Sequence, residues 1–376
     1  MPSTPHPPSD LPSAEATSQR IGERGRAKAE GRRVVRRQRL LALGAVALVL
    51  VALVLVVLRT ITPGSRRHTG AGTPPAQSTR VTTSPAAKPP SSFAVGLRVI
   101  RLVDSSRTID LANGTAEPRA LLTYVRYPAL GSPGATDVRN APAARTDGPF
   151  PLVVFGHGFA LTPAVYASML QSWAHAGYVV AAPAFPLENT NAPGGPDESD
   201  LTNQPGDMRF VISRMLAASG ATSGPLAGLI DQARVAVAGH SDGGDTALAV
   251  AYDRDYRDPR VSAAVILAGA EMPGVEEFTF PHAGPPLLAI QGTADTVSPP
   301  SSTKAFFGPA QRPKYLLNLP GAKHLPPYST QQPQLGIIER VTIAFLDGYL
   351  KHELKALQEL VPLGSVPRTA SMLAQP

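Results

Sequence analysis

Apolar residues in this chain follow two patterns. Residues 40–58, LLALGAVALVLVALVLVVL, run for nineteen positions without a charged or polar side chain. Beyond residue 92 the apolar positions fall into short blocks bounded by Gly and Pro, such as LVVF, VAVAG, AAVILAG and LLAIQG. Blocks that are continuous rather than alternating suit strands covered on both faces. Strands are expected over residues 97–103, 120–127, 152–155, 178–181, 234–238, 261–267, 287–291 and 315–319. Helices are expected over 164–176, 207–218, 242–252, 302–307 and near 334–360. Strands alternating with helices predict an α/β domain, with a mostly parallel central sheet, right-handed crossovers and helices on both faces. The first two strands have no helix between them and should start the sheet as an antiparallel pair. The sequence contains no internal repeat.

As a helix, the nineteen-residue run would be about 28 Å long, close to the hydrocarbon thickness of a bilayer. It would have no polar face to turn to water, so a core helix fits it poorly. Residues 20–39 before it carry nine Lys or Arg, against Arg59, Arg66 and Arg67 soon after it. That bias predicts an uncleaved signal-anchor, N-terminus in the cytoplasm, with the folded part outside the cell membrane. A cleaved signal peptide would have a shorter apolar stretch and a small-residue cleavage site, whereas Arg59-Thr60-Ile61-Thr62-Pro63 follows here. Arg36-Arg37 also permits a twin-arginine export reading. The expected organisation is a disordered basic tail (1–39), a transmembrane helix (40–58), a Pro/Thr/Ser-rich linker (59–92), a catalytic domain (93–361) and a flexible C-terminal tail (362–376).

Charge sharpens this division. The net charge of +7 over 376 residues invites a nucleic-acid partner. Residues 1–92, however, hold 14 Lys+Arg against 4 Asp+Glu, and residues 93–376 hold 21 against 24. The folded part is mildly acidic, which argues against nucleic acid. The chain has no Cys, which removes disulfides, thiolate metal sites and a thiol nucleophile. The His and acidic residues lack ligand spacing, so neither a metal nor another cofactor is expected.

The candidate chemistry centres on Gly239-His240-Ser241-Asp242-Gly243, between the apolar strand VAVA and an Ala/Leu-rich helix. In that strand–turn–helix setting a G-x-S-x-G turn pushes its serine out at the C-terminal edge of the sheet. A serine hydroxyl needs a base to become nucleophilic. His282, His324 and His352 follow Ser241. His282 precedes a strand, at the opposite end of the sheet, and His352 should lie on the polar side of a surface helix. His324 follows the strand at 315–319 in a loop where ligands collect in open α/β sheets. Asp295, after the strand at 287–291, is the candidate acid that would orient the imidazole. Oxyanion donors would be the backbone N–H groups of Phe159, in Gly156-His157-Gly158-Phe159, and of Asp242. His157 and His240 are read as bracing their loops by hydrogen bonds, and Trp173 as core.

These motifs, with Gly292-Thr293-Ala294-Asp295 and Gly321-Ala322-Lys323-His324, resemble the α/β-hydrolase superfamily. More narrowly they look like its branch of cutinase-like, platelet-activating-factor-acetylhydrolase-like and dienelactone-hydrolase-like esterases. Asp207-Met208-Arg209-Phe210-Val211-Ile212 and Val125-Arg126-Tyr127-Pro128 are similar to that branch's D-x-x-F-V-L helix and V-x-Y-P strand. The resemblance spans roughly residues 95–350. It implies the α/β-hydrolase fold and esterase chemistry with Ser241, Asp295 and His324 as the triad, acting on a small-molecule or lipid-like ester. Asp242 departs from the Met or Phe common after the nucleophile. Residues 186–205, polar and rich in Gly and Pro, should form a long loop, read either as a specificity element over the site or as a passive surface excursion. Two other readings remain at this point: a non-catalytic envelope binding protein on the same fold, and a peptidase or amidase.

Overall fold

The computed structural model describes residues 92–111, 114–272, 278, 280 and 284–376. The anchor, tail and linker expected over 1–91, and His282, lie outside them. Among the described residues no helix is long and apolar enough to cross a membrane.

Ten strands form one sheet: β1 (Ala94–Asp110), β2 (Ala116–Ala129), β3 (Val138–Arg139), β4 (Phe150–Gly156), β5 (Val179–Ala184), β6 (Ile230–His240), β7 (Val261–Leu267), β8 (Leu287–Gly292), β9 (Lys314–Leu319) and β10 (Ser371–Gln375). Their order is β10-β9-β8-β7-β6-β4-β5-β2-β1-β3. Strands β5, β4, β6, β7, β8 and β9 pair in parallel, and β1 and β2 form the expected antiparallel start. Among the described residues six α-helices connect or cover them: α1 (Ala167–His175), α2 (Gln204–Gly220), α3 (Asp242–Tyr252), α4 (Pro300–Phe307), α5 (Gln334–Leu350) and α6 (Leu354–Gly364).

Successive residues of a strand point to opposite faces, which is why the blocks are continuously apolar. Leu152 and Val154 of β4, Val235 and Val237 of β6 and Ala264 and Ile266 of β7 enter one core with Met208, Val211, Ile212 and Met215 of α2 and with Leu248 of α3. Val153, Phe155, Ala236, Ala238, Val265 and Leu267 enter the other, against Met169, Leu170 and Trp173 of α1 and Val341 and Phe345 of α5. Trp173 is core, as expected, and its Nε1 donates to Thr342 Oγ1 at 2.8 Å. β5 lies on one side of β4 and β6 on the other. The strand order therefore reverses at β4 and β6, the kind of crevice where doubly wound sheets bind ligands.

Two expectations are corrected. The helix near 334–360 is two helices, α5 and α6, and His352 occupies the exposed junction between them at φ 59° rather than a helix face. The tail at 362–376 is not free: residues 371–375 form β10, paired antiparallel with β9 from Ser371–Asn318 to Gln375–Lys314. Without it β9 would end the sheet with a row of unpaired backbone groups. Met372 and Ala374, two residues apart, pack on the second core. That alternation was the available sequence signal, in a segment too short and too mixed to stand out.

Candidate functional site

The turn that carries Ser241 exists because of its glycines. A Cβ on Gly239 would overlap the Gly243 carbonyl, and one on Gly243 would overlap the backbone of Gly156. With both absent, β6 and α3 meet tightly and the single residue between them is forced to φ 55°, ψ −125°. A non-Gly residue there stores strain of roughly 1–3 kcal/mol. Ser241 is 8% exposed, and its N–H donates to Leu267 O at 3.0 Å.

The loop after β9 brings His324 to this serine, with Nε2 2.9 Å from Ser241 Oγ. The loop after β8 brings Asp295, whose Oδ2 lies 2.7 Å from His324 Nδ1. Oδ1 of Asp295 accepts the N–H groups of Val297 at 2.9 Å and Ser298 at 3.0 Å. A carboxylate so held can only accept, so Nδ1 of His324 carries the proton and Nε2 is left to accept from the serine hydroxyl. The His324 side chain is 17% exposed and that of Asp295 fully buried.

The loop after β4 closes the third side. A Cβ on Gly158 would sit 3.1 Å from Ser241 Cβ, tighter than ordinary contact, so the missing side chain eases the close approach of this backbone to the nucleophile. Phe159 follows in the same loop, and Asp242 is the first residue of α3. His157 braces the loop as expected: its Nε2 accepts the Phe185 N–H at 3.0 Å, leaving Nδ1 to donate to Gly158 O at 2.9 Å. Burial pushes its pKa down to about 4, so the ring is neutral in both roles. The structure thus gathers Ser241, His324, Asp295, Phe159 and Asp242 at one crevice.

The segment 186–205 is fastened at several points. Glu188 O accepts the Ala160 N–H at 2.8 Å, and Thr190 Oγ1 donates to Ala160 O at 2.7 Å. Arg119 of β2, itself buried, binds the carboxylates of Asp200 and Asp207 with four hydrogen bonds of 2.6 to 2.9 Å. Thr246 of α3 donates to Gln204 Oε1 at 2.9 Å. Sequence reasoning had no sign of these fastenings.

Glu188 was missed as well, since a glutamate in a polar loop gives no reason to expect burial. Its side chain is fully buried. Burial, then the charge of Asp242, pushes its pKa up to about 10; the Gln204 amide offsets this in part, and Asp200 and Glu198 add to it. The native state thus keeps a proton that the unfolded chain loses near pH 4. Glu188 therefore costs nothing below that pH, and stability falls as pH rises toward the native pKa. Glu188→Gln is expected to add about 3 kcal/mol of stability at pH 7 and to flatten the dependence between about pH 5 and pH 9. Urea midpoints of both proteins across that range check it, and identical pH slopes would refute it.

The chlorophyllase family model matches residues 140–278, a stretch that holds Phe159, Ser241 and Asp242 and stops short of Asp295 and His324. Bis(hydroxyethyl) terephthalate hydrolase of Streptomyces coelicolor is 26% identical over 225 residues, 59% of this chain. The match spans 64% of that relative's own length. Among solved structures, ferulic acid esterase from Streptomyces cinnamoneus superposes with a TM-score of 0.53 at 22% identity, covering 71% of this chain and 93% of that one. The described residues have the α/β-hydrolase fold, and the likenesses to the family model and to the Streptomyces coelicolor relative point to the esterase branch of that fold.

Proposed function

We propose that this chain is a serine carboxylic ester hydrolase working through an acyl-enzyme. The observation that carries the reading is the unbroken line from Asp295 through His324 to Ser241, ending at the positive-φ turn. Ser241 Oγ attacks the ester carbonyl carbon while His324 Nε2 takes its proton. The carbonyl oxygen, now anionic, receives the backbone N–H groups of Phe159 and Asp242, with the N-terminus of α3 behind them. His324 then returns the proton to the departing alcohol oxygen as the C–O bond breaks. Water, deprotonated by the same nitrogen, releases the acid. Asp295 holds the imidazole tautomer and stabilises the imidazolium without taking the proton. Residues 93–361 are the catalytic domain on this reading. Residues 40–58 anchor it to the outer side of the cell membrane.

The test is hydrolysis of p-nitrophenyl esters of increasing acyl length by the full chain, with fluorophosphonate labelling mapped by mass spectrometry. Turnover together with an adduct on Ser241 is expected, and the length series reports the acyl preference. Neither turnover nor labelling would leave a binding protein on a hydrolase fold.

A further inference from the structure

Two buried side chains beside the site, Tyr166 and His240, have no part in the steps above. Tyr166 ends the short 3-10 turn Pro163–Tyr166 ahead of α1. His240 is the last residue of β6, one position before the nucleophile. Both are fully buried. The Tyr166 hydroxyl accepts the Gly158 N–H at 3.3 Å and lies 2.8 Å from His240 Nδ1. On its other side the His240 ring places Nε2 2.9 Å from the backbone carbonyl oxygen of His324.

Chemistry permits one assignment of these protons. A carbonyl oxygen cannot donate, so His240 Nε2 carries a hydrogen. Burial, and then the charge of His324, push the His240 pKa well below its ordinary value, so the ring is neutral and has no second hydrogen. Nδ1 is therefore bare and must accept from Tyr166, whose oxygen lone pair is left facing Gly158. Burial also keeps the Tyr166 hydroxyl protonated, its pKa raised further by the charge of Asp242. The bonds run in one direction: Gly158 N–H to Tyr166, Tyr166 O–H to His240, His240 Nε2–H to the His324 carbonyl.

We infer that Tyr166 and His240 are positioning residues for the proposed esterase, a directional tie that joins the oxyanion loop to the loop bearing the general base. One end sets the Gly158 peptide, next to the Phe159 N–H. The other fixes the backbone of His324, whose ring must stay within hydrogen-bond reach of Ser241. The His240 ring also lies against that of His324, with centroids 4.7 Å apart, and against Tyr328 at 4.8 Å. When His324 becomes an imidazolium during turnover, a neutral neighbour at that distance adds no repulsion. A protonated His240 would repel it and would aim a second N–H at Tyr166. The tie thus keeps His240 both neutral and in one tautomer.

The inference rests on the ester hydrolase reading, and the experiment separates the two. Tyr166→Phe in the full chain removes the acceptor for Gly158 and the donor to His240 together. We expect kcat to fall about 10- to 100-fold with KM within about twofold, since small misplacement of reacting groups acts on the chemical step. Fluorophosphonate labelling of Ser241 should slow in parallel. His240→Gln, whose amide N–H can reach the His324 carbonyl, should keep more of kcat than His240→Leu. In the wild type, 15N-histidine NMR should show His240 protonated at Nε2 and bare at Nδ1, with the tautomers mixing in Tyr166→Phe. Unchanged kcat in Tyr166→Phe, or a wild-type His240 protonated at Nδ1, overturns the tie while leaving the hydrolase intact. If Tyr166→Phe does not fold, the wild-type tautomer decides alone. A wild type that turns over no ester and takes no fluorophosphonate overturns the hydrolase reading, whatever the His240 tautomer.

Discussion

Ser241→Ala is expected to lower kcat/KM on the best p-nitrophenyl ester by about 10⁶-fold, equivalent to roughly 8 kcal/mol of transition-state stabilisation. The loss should fall on kcat, because substrate contacts outside the hydroxyl are untouched. Alanine keeps the Cβ and therefore the strained φ of 55°, so folding is not relieved or disturbed by the change at the turn. The Ser241 peptide keeps its bond to Leu267 O. The variant deletes one bond, between Oγ and His324 Nε2. What remains should be a small rate above water, from donors that polarise the carbonyl and from substrate binding. Initial rates at several substrate concentrations, with the circular dichroism melt as folding control, measure this. Activity within tenfold of wild type would remove Ser241 from the mechanism. A general base acting directly on water would then have to be sought.

Asp295→Asn should cost about 10⁴-fold in kcat at neutral pH, despite changing a single atom. Oδ1 of Asp295 accepts two backbone N–H groups, from Val297 and Ser298. In the variant the amide oxygen keeps that place and the amide nitrogen turns to His324. Its N–H groups then face Nδ1, which must accept, and the imidazole proton moves to Nε2. Ser241 then meets a donor where it needs a base. The prediction discriminates because Asp295 also shapes its turn, and Asn shapes such turns equally well. A purely local role predicts a loss below tenfold. A loss of several powers of ten, with the melting temperature nearly unchanged, would locate the effect in the imidazole. Measuring kcat and the fluorophosphonate rate side by side checks this, since both need a deprotonated Nε2.

The legible part of the site was the part written in local order. A strand, a G-x-S-x-G turn and a helix lie within about twenty residues, so their juxtaposition follows from chain continuity. Asp295 and His324 were found by a topological rule: each follows a strand, and parallel strands deliver such loops to one edge of the sheet. Tyr166 escaped that reasoning. It ends a 3-10 turn with no motif around it, and its bond to His240 spans 74 residues. His240 was read as bracing its loop, but its partners could not be named from sequence. Glu188 was hidden for a different reason, because its composition setting says exposed loop. Arg119 draws Asp200 and Asp207 inward, and the segment carries Glu188 in with it.

By itself, the amino-acid sequence determined eight of the ten strands, that the sheet is mostly parallel, where the serine turn lies and the order of its candidate partners. Those are consequences of two-residue and 3.6-residue periodicities, of glycine's missing Cβ, and of how parallel strands dispose their ends. Only the tertiary structure decided that residues 371–375 close the sheet edge and that 186–205 is pinned to the site. It alone decided that His240 joins two loops through one tautomer, and that Glu188 keeps its proton in the interior. These outcomes depend on burial and on hydrogen-bond partners far away in the chain. Neither exists until the two cores have packed and water has left the groups between them.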